Sequence, residues 1–99
     1  MSINLDNLWM PFTANKQFKA SPRLFVSAKD MHYTTDDGRQ VLDGTAGLWC
    51  VNAGHGRAPI VSAICEMAQT LDYAPMFQMG HPKVFEAASK LAAITPEGM

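Results

Sequence analysis

The chain has 99 residues, of which 47% are apolar, and its eight basic and nine acidic side chains give a net charge of −1. These charges form no basic patch, which argues against nucleic acid as a partner, and no apolar run approaches the roughly 20 residues of a membrane span. The residues before Trp9 do not resemble a secretory signal and the two cysteines form no CxxC pair, so we expect a cytoplasmic protein with a modest core.

The N-terminal part predicts a loop with one short helix. Residues 3–22 are rich in Asn, Pro and aromatic side chains, which is typical of irregular backbone. Leu5, Leu8 and Trp9 share a helical face, so a short helix is expected before Pro11.

A small antiparallel sheet follows. Residues 24–35 predict a strand because they are rich in β-branched and aromatic side chains. Residues 36–38 read Asp-Asp-Gly, which is a hairpin turn signal, and residues 40–43 form the returning strand.

Two helices are predicted in the second half of the chain. Pro59 suits the first turn of one helix, which ends before Pro75 because a residue that precedes proline avoids the helical region. His81 and Pro82 open the second helix, and residues 95–98 stop it. The apolar face is Ile60, Ile64, Met67, Ala68 and Leu71 in the first helix, and the inward side chains of the second are Val84, Ala87, Ala88, Leu91 and Ile94.

The order of loop, small antiparallel sheet, helix and helix predicts an α+β fold. A two-stranded hairpin is marginally stable by itself in water, and several large apolar residues fall in loops without an obvious local partner. Such residues usually pack against another domain or subunit, so we expect a terminal segment of a larger protein. These residues are Trp9, Met10, Phe12, Phe18, Leu48 and Trp49.

Residues 42–56 stand out because they hold four glycines around a tryptophan. A large apolar side chain on such an irregular backbone suits the wall of a pocket. Phe12, Trp49 and Phe77 all fall in irregular segments, and two interpretations remain open for them. They pack in a core or interface, or they line a shared apolar pocket.

The histidines and cysteines do not have metal-ligand spacing, since zinc ligands normally come in close pairs such as CxxC. We expect His32 to be exposed, His55 to bond to local backbone, and His81 to cap the second helix. Cys50 is expected to be an inert, buried thiol, because nothing nearby in sequence lowers its pKa. Residues 54–56, Gly-His-Gly, predict a tight turn, since the full pattern of a phosphate-binding loop is missing.

Three stretches resemble one enzyme family. Residues 42–56, Leu-Asp-Gly-Thr-Ala-Gly-Leu-Trp-Cys-Val-Asn-Ala-Gly-His-Gly, look like the N-terminal signature of class III aminotransferases, which are pyridoxal 5'-phosphate (PLP) enzymes of fold type I. Residues 9–13 and 71–82 narrow the resemblance to the ω-amino acid:pyruvate (β-alanine:pyruvate) aminotransferases. Many members continue Gly-His-x-His-Pro, whereas here Arg57 replaces the second His and Pro59 comes one place later, which changes the start of the helix.

The resemblance implies roles for five residues. Leu48 and Trp49 match part of the substrate-pocket wall, and Phe12 matches a residue of the N-terminal loop that packs near the site. Met76 and Phe77 match a loop that reaches the pocket, either of the same subunit or of a partner. The resemblance further implies PLP as the cofactor, an amino donor and a keto acid such as pyruvate as substrates, and a homodimer or homotetramer.

In the family, the cofactor-binding lysine, the aspartate that contacts the pyridinium ring and the phosphate-binding segment all match positions beyond residue 99. We therefore expect residues 1–99 to be the N-terminal segment of a class III aminotransferase without the large PLP-binding domain. By itself this segment is expected to be inactive and to hold no catalytic, cofactor-binding or metal-binding residue. The alternative is a short, non-catalytic chain that binds a partner subunit or another protein through its exposed apolar loops.

Overall fold

The computed structural model describes residues 3–98, which fold as two compact units that meet in sequence between Ala58 and Pro59. The first unit contains a short helix, a three-stranded sheet and a helical turn, and the second contains helices. This confirms the α+β fold class. The elements are α1 (Asn15–Ala20), β1 (Phe25–Lys29), β2 (His32–Thr35), β3 (Gln40–Leu42), α2 (Ala46–Trp49), α3 (Ala58–Thr70) and α4 (Pro82–Ala92).

The N-terminal helix was predicted in the wrong place. Residues 7–10 have no regular structure, and the helix is α1, which begins after Pro11 at Asn15. The buried Asn15 side chain closes the preceding loop: its Oδ1 accepts from the Met10 amide at 2.8 Å, and its Nδ2 donates to the carbonyls of Met10 and Thr13 at 2.9 Å each. These local polar bonds decide the structure here, whereas the apolar spacing of Leu5 and Trp9 does not.

The sheet is an antiparallel meander in the order β1-β2-β3, so the single strand predicted over residues 24–35 is wrong. The chain reverses between Lys29 and His32, which pair with each other. Asp30 adopts a left-handed backbone with φ of 51° in this reversal, a conformation that aspartate tolerates better than most residues. The β-rich composition on both sides of the reversal conceals it in the sequence.

The predicted hairpin turn at residues 36–38 is confirmed. Gly38 has φ of 84°, and its amide donates to the carbonyl of Thr35 at 2.9 Å. The buried Thr35 hydroxyl donates to the carboxylate of Asp37, which also receives a hydrogen bond from Arg39 Nε at 2.9 Å. These bonds, with that from the threonine hydroxyl the largest, lower the pKa of Asp37 below its ordinary value.

Both long helices form where they are predicted. Pro59 lies in the first turn of α3, and Pro82 opens α4. His81 caps α4 as expected, because its Nδ1 accepts a hydrogen bond from the Lys83 amide at 3.1 Å. Its Nε2 lies 3.2 Å from the carbonyl of Leu71, so the same side chain also contacts the segment that follows α3.

The modest core expected from composition is not formed within residues 3–98, none of whose apolar side chains is buried. The apolar side chains expected to point inward from the second predicted helix are exposed, both Leu91 in α4 and Ile94 just beyond its end. Trp9, Phe12, Leu48 and others predicted to seek a partner are exposed as well. A surface so rich in exposed large apolar groups is typical of a protein interface.

Candidate functional site

The first unit contains a hydrogen-bonded pair formed by the buried Asp43 and the partly buried His55. His55 Nε2 lies 2.7 Å from Asp43 Oδ2, and the side chains are 12% and 4% exposed for His55 and Asp43. A carboxylate only accepts hydrogen bonds, so Nε2 of His55 carries the proton. The backbone of His55 is fixed too, because it exchanges two hydrogen bonds with Asp30, of 2.9 and 2.7 Å.

Asp43 also holds the start of α2. Its Oδ1 accepts from the Thr45 amide at 3.1 Å and from the Thr45 hydroxyl at 3.3 Å, and its Oδ2 accepts from the Gly47 amide at 2.7 Å. Hydrogen bonds to the charged form, first of all the one from His55, lower the pKa of Asp43 below its ordinary value. With both oxygens occupied, Asp43 is built to hold structure rather than to exchange protons with a ligand.

The turn that Asp43 holds is left-handed. Ala46, Gly47, Leu48 and Trp49 have φ of 51°, 58°, 65° and 68°, and the Trp49 amide donates to the carbonyl of Thr45 at 2.9 Å. For residues other than glycine this conformation costs about 1–2 kcal/mol each. Such strain occurs at functional sites, where the surrounding structure has to enforce it.

Tyr33 lies beside this network. Its ring stacks on Phe25 with centroids 4.3 Å apart and tilts against His55 with centroids 4.5 Å apart. Burial, and next the negative charge of Asp43, raise the pKa of the Tyr33 hydroxyl. A Cβ added to Gly47 would lie 3.0 Å from Val51 Cγ2 and 3.2 Å from that hydroxyl, so a larger residue would crowd both side chains at a φ that already favours glycine.

A cavity of about 410 Å³ opens next to the network. Asp30 and Met31 line it from the β1–β2 reversal, and Asp43, Trp49 and His55 line it from residues 42–56. Trp49 is nonetheless 81% exposed. Its side chain therefore projects beside the cavity and is not packed in a closed core.

The five residues assigned by resemblance fall in both units. Phe12, Leu48 and Trp49 belong to the first unit and all have positive φ, and Trp49 is the one of the three on the cavity wall. Met76 and Phe77 belong to the loop between α3 and α4 of the second unit, where Phe77 is 83% exposed. The structure therefore gives three of them an unusual backbone.

Two expectations for this region are wrong. The His55 side chain bonds to a carboxylate instead of to backbone, and Cys50 is exposed instead of buried, with its thiol donating to the Leu48 carbonyl at 3.4 Å. Asp43 and Tyr33 were missed as site residues altogether. The signal for Asp43 was an Asp two places before Thr45, a spacing typical of an Asx turn, next to a glycine-rich run.

One other expectation is confirmed, since His32 is exposed on β2. The turn predicted at residues 54–56 lies earlier in the chain: the Gly54 amide donates to the Val51 carbonyl at 2.8 Å, and His55 pairs with Asp30 in a β-bridge. Within residues 3–98, no group of three or more His, Cys, Asp or Glu side chains could hold a metal ion.

Comparison with known proteins shows which class of protein this chain is similar to. The chain is 56% identical over 96 residues to an omega-aminotransferase of Caulobacter vibrioides, covering 97% of this chain and 22% of that protein. It is 46% identical over 94 residues to a beta-alanine–pyruvate aminotransferase of Pseudomonas aeruginosa, covering 95% of this chain and 21% of that one. No protein-family profile matches the chain.

A solved structure agrees with the sequence comparison. The chain superposes with a TM-score of 0.75 and 30% identity on the PLP-bound form of an amine transaminase from an uncultivated Pseudomonas species, covering 89% of this chain and 20% of that one. The chain is therefore similar, in sequence and in structure, to the N-terminal part of class III aminotransferases. It spans about a fifth of the length of the curated relatives it matches.

Enzymes of this family depend on PLP, but the cavity in the first unit does not fit that cofactor. Its ionisable lining groups are the carboxylates of Asp30 and Asp43 and the ring of His55, which is already bonded to Asp43. Among the residues that the structure describes, no lysine or arginine lines it to bind a phosphate or the cofactor aldehyde.

Across the part of the chain that the structure describes, no helix has both the length and the apolar character needed to cross a membrane.

Proposed function

We propose that this chain is the N-terminal part of a PLP-dependent ω-amino acid:pyruvate transaminase and supplies part of its substrate-pocket wall. The observation that carries this proposal is the left-handed turn of residues 46–49, which presents Trp49 at a cavity at the expense of backbone strain. The similarity to an omega-aminotransferase and a beta-alanine–pyruvate aminotransferase supports the reaction class.

Four further residues complete the proposed wall. Leu48 precedes Trp49 in the strained turn and is exposed, and Phe12 is exposed on a loop with φ of 50°. Met76 and Phe77 would contribute from the α3–α4 loop, in the same subunit or in a partner. Exposed apolar side chains fixed on irregular backbone suit such a wall, because ligand pockets are mostly apolar.

The exposed apolar surface supports further contacts outside this segment. Within the described residues, large apolar side chains are exposed on both long helices and just after α3, and such side chains usually gain burial from a neighbouring domain or subunit. They include Ile60 and Ile64 of α3, Leu71 directly after it, and Leu91 of α4. We therefore assign residues 1–99 to the N-terminal segment of the enzyme, next to a large PLP-binding domain, in a homodimer or homotetramer of the cytoplasm.

The proposed reaction moves an amino group from a donor such as β-alanine to pyruvate. In such enzymes PLP carries the amino group between donor and acceptor, and the protein binds and orients the reactants. The residues proposed here exclude water and shape the space for the substrate, while the groups that hold PLP belong to other parts of the enzyme.

A graft tests this proposal on the segment itself. The matching stretch of the Caulobacter vibrioides omega-aminotransferase, to which the chain is 56% identical, is replaced by this chain. We expect the grafted enzyme to form alanine from β-alanine and pyruvate when loaded with PLP. The isolated 99-residue chain is expected to form none, since the cofactor site lies elsewhere.

A Trp49→Ala change in the graft refines the test. If Trp49 forms the wall, the variant should keep PLP bound and lose activity mainly through a higher KM. A folded, PLP-loaded graft without turnover, or turnover by the isolated chain, contradicts the proposal. The intact mass of the native protein, compared with 10.8 kDa for this chain, tests the length of the enzyme independently.

A further inference from the structure

The strained backbone of the left-handed turn at residues 46–49 has to be held by contacts with other residues. Three of its four residues, Ala46, Leu48 and Trp49, have a Cβ, and each is disfavoured in this conformation. The turn is exposed at Leu48 and Trp49, so burial of these side chains does not hold it in the described structure. The contacts that enforce it must come from its other side.

The carboxylate of Asp43 supplies these contacts. Asp43 Oδ2 accepts from the Gly47 amide at 2.7 Å, and Oδ1 accepts from the Thr45 amide at 3.1 Å, so one carboxylate spans the first residues of the turn. Asp43 itself follows β3 directly, and its amide donates to the carbonyl of Met31 at 2.8 Å. The Asp43 side chain therefore ties the turn to the sheet.

His55 holds the orientation of that side chain. Its Nε2 donates to Asp43 Oδ2 at 2.7 Å, and its backbone is paired with Asp30 at the β1–β2 reversal. Tyr33 packs against the His55 ring and limits its rotation. Both ends of the segment that carries Trp49 are thus fixed to the same sheet.

We propose that Asp43 and His55 are positioning residues that set the place of Trp49 on the substrate-pocket wall and so determine how tightly the amino donor binds. This inference rests on the proposed function, which supplies the substrate pocket and the amino donor. The orientation of Trp49 is independent of it, and can be measured separately.

Asp43→Asn is the sharpest test because it keeps the shape of the side chain. Asparagine has one accepting oxygen. It can accept from the Thr45 amide, or from the Gly47 amide and His55, but not from all three donors in the present arrangement. Asp37→Asn is the matched control. Asp37 also accepts from a threonine hydroxyl in a turn of the same sheet, and it lies outside the cavity lining.

The readout is made on the full-length PLP holoenzyme that contains this chain, labelled with 5-fluorotryptophan. The fluorine resonance of Trp49 is assigned by its loss in Trp49→Phe. We expect Asp43→Asn to shift or split this resonance and to raise the KM for β-alanine about tenfold, with kcat changed less than threefold. Asp37→Asn should leave both quantities unchanged.

His55→Phe provides a second variant if Asp43→Asn does not fold. It keeps an aromatic ring against Tyr33 and removes the bond to Asp43, so we expect a smaller change in the same direction. His32→Phe, at an exposed position of β2, is its control.

Each remaining outcome is decisive. An unchanged Trp49 resonance and KM in folded Asp43→Asn and His55→Phe enzymes would overturn the positioning role, even if their thermal midpoints fall. A wild-type holoenzyme without transaminase activity would overturn the proposed function, whereas the Trp49 resonance would still decide whether Asp43 places this side chain.

Discussion

Residues 42–56 and the helices α3 and α4 present exposed apolar side chains in two different ways. In residues 42–56, Trp49 stands on a strained turn that a buried carboxylate and a histidine hold in place. In α3 and α4 the backbone is regular, and exposed side chains such as Ile64 and Leu91 are fixed by no comparable polar network.

The difference separates two roles of an apolar surface. A helical face costs little backbone strain and can be covered by any complementary partner, so it suits an interface. A single aromatic side chain held at a costly φ by polar bonds has a defined position before any partner arrives. This preorganisation is what a substrate pocket requires.

The largest effect is expected from Gly47→Ala, which attacks the strained turn directly. The new Cβ would lie 3.0 Å from Val51 Cγ2 and 3.2 Å from the Tyr33 hydroxyl, at φ of 58°. We expect a loss of about 2–4 kcal/mol of stability and a more than tenfold loss of transaminase activity in the full-length enzyme.

Gly44→Ala is the control for that change, since a Cβ at Gly44 would meet nothing within 4 Å and its φ is not positive. Thermal unfolding and alanine formation are measured for both variants. Equal behaviour of the two variants would show that the turn carries no special constraint.

A second effect is expected at Asn15, which tests whether polar bonds also hold the N-terminal loop. Asn15→Ala removes three side-chain hydrogen bonds and leaves the amide of Met10 and the carbonyl of Thr13 without this partner. We expect a loss of about 1–3 kcal/mol, measured by chemical denaturation. Asn7→Ala, at an exposed position of the same loop, should have little effect, and a similar loss in both variants would argue against this role of Asn15.

A smaller effect is expected in the helical unit, at the cap of α4. His81→Ala removes the acceptor for the Lys83 amide, which should cost about 1 kcal/mol and increase amide hydrogen exchange in the first turn of α4. Exchange in residues 42–56 should stay unchanged. Unchanged exchange in the first turn of α4 would contradict the capping role of His81.

The smallest effect at neutral pH concerns the ionisation of Asp43. Its pKa in the folded protein is lower than the ordinary value of 3.8, so its ionised form stabilises the fold above that value. This contribution is lost as the pH falls through the lowered folded pKa. The difference in thermal midpoint between wild type and Asp43→Asn should therefore shrink as the pH falls below about 4. A difference that grows on acidification would be inconsistent with the ionised Asp43.

The two long helices and the hairpin turn could be predicted from the sequence, whereas α1, the β1–β2 reversal and the strained turn of residues 46–49 could not. Apolar spacing after Pro59 and the His81-Pro82 start predict α3 and α4, because periodicity and capping are local properties. The turn at residues 36–38 is likewise predicted by its local sequence, Asp-Asp-Gly. The reversal at Asp30 is not, since it depends on pairing with His55, 25 positions further along the chain.

The candidate site shows the same limit. The resemblance draws attention to Trp49, but it does not reveal that Trp49 stands on a left-handed turn. Asp43 and His55 are separated by twelve residues and meet only once the sheet has formed, so no local pattern joins them. The site residues Phe12, Leu48, Trp49, Met76 and Phe77 stay a prediction for the full-length enzyme.

The most direct measurement is a crystal structure of the full-length PLP enzyme that contains this chain, with a substrate analogue bound. We expect Trp49 to lie within about 4 Å of the analogue, on a left-handed turn whose Gly47 amide donates to Asp43. A bound analogue far from Trp49, or an ordinary right-handed backbone at residues 46–49 that leaves Asp43 free, would contradict the pocket-wall role.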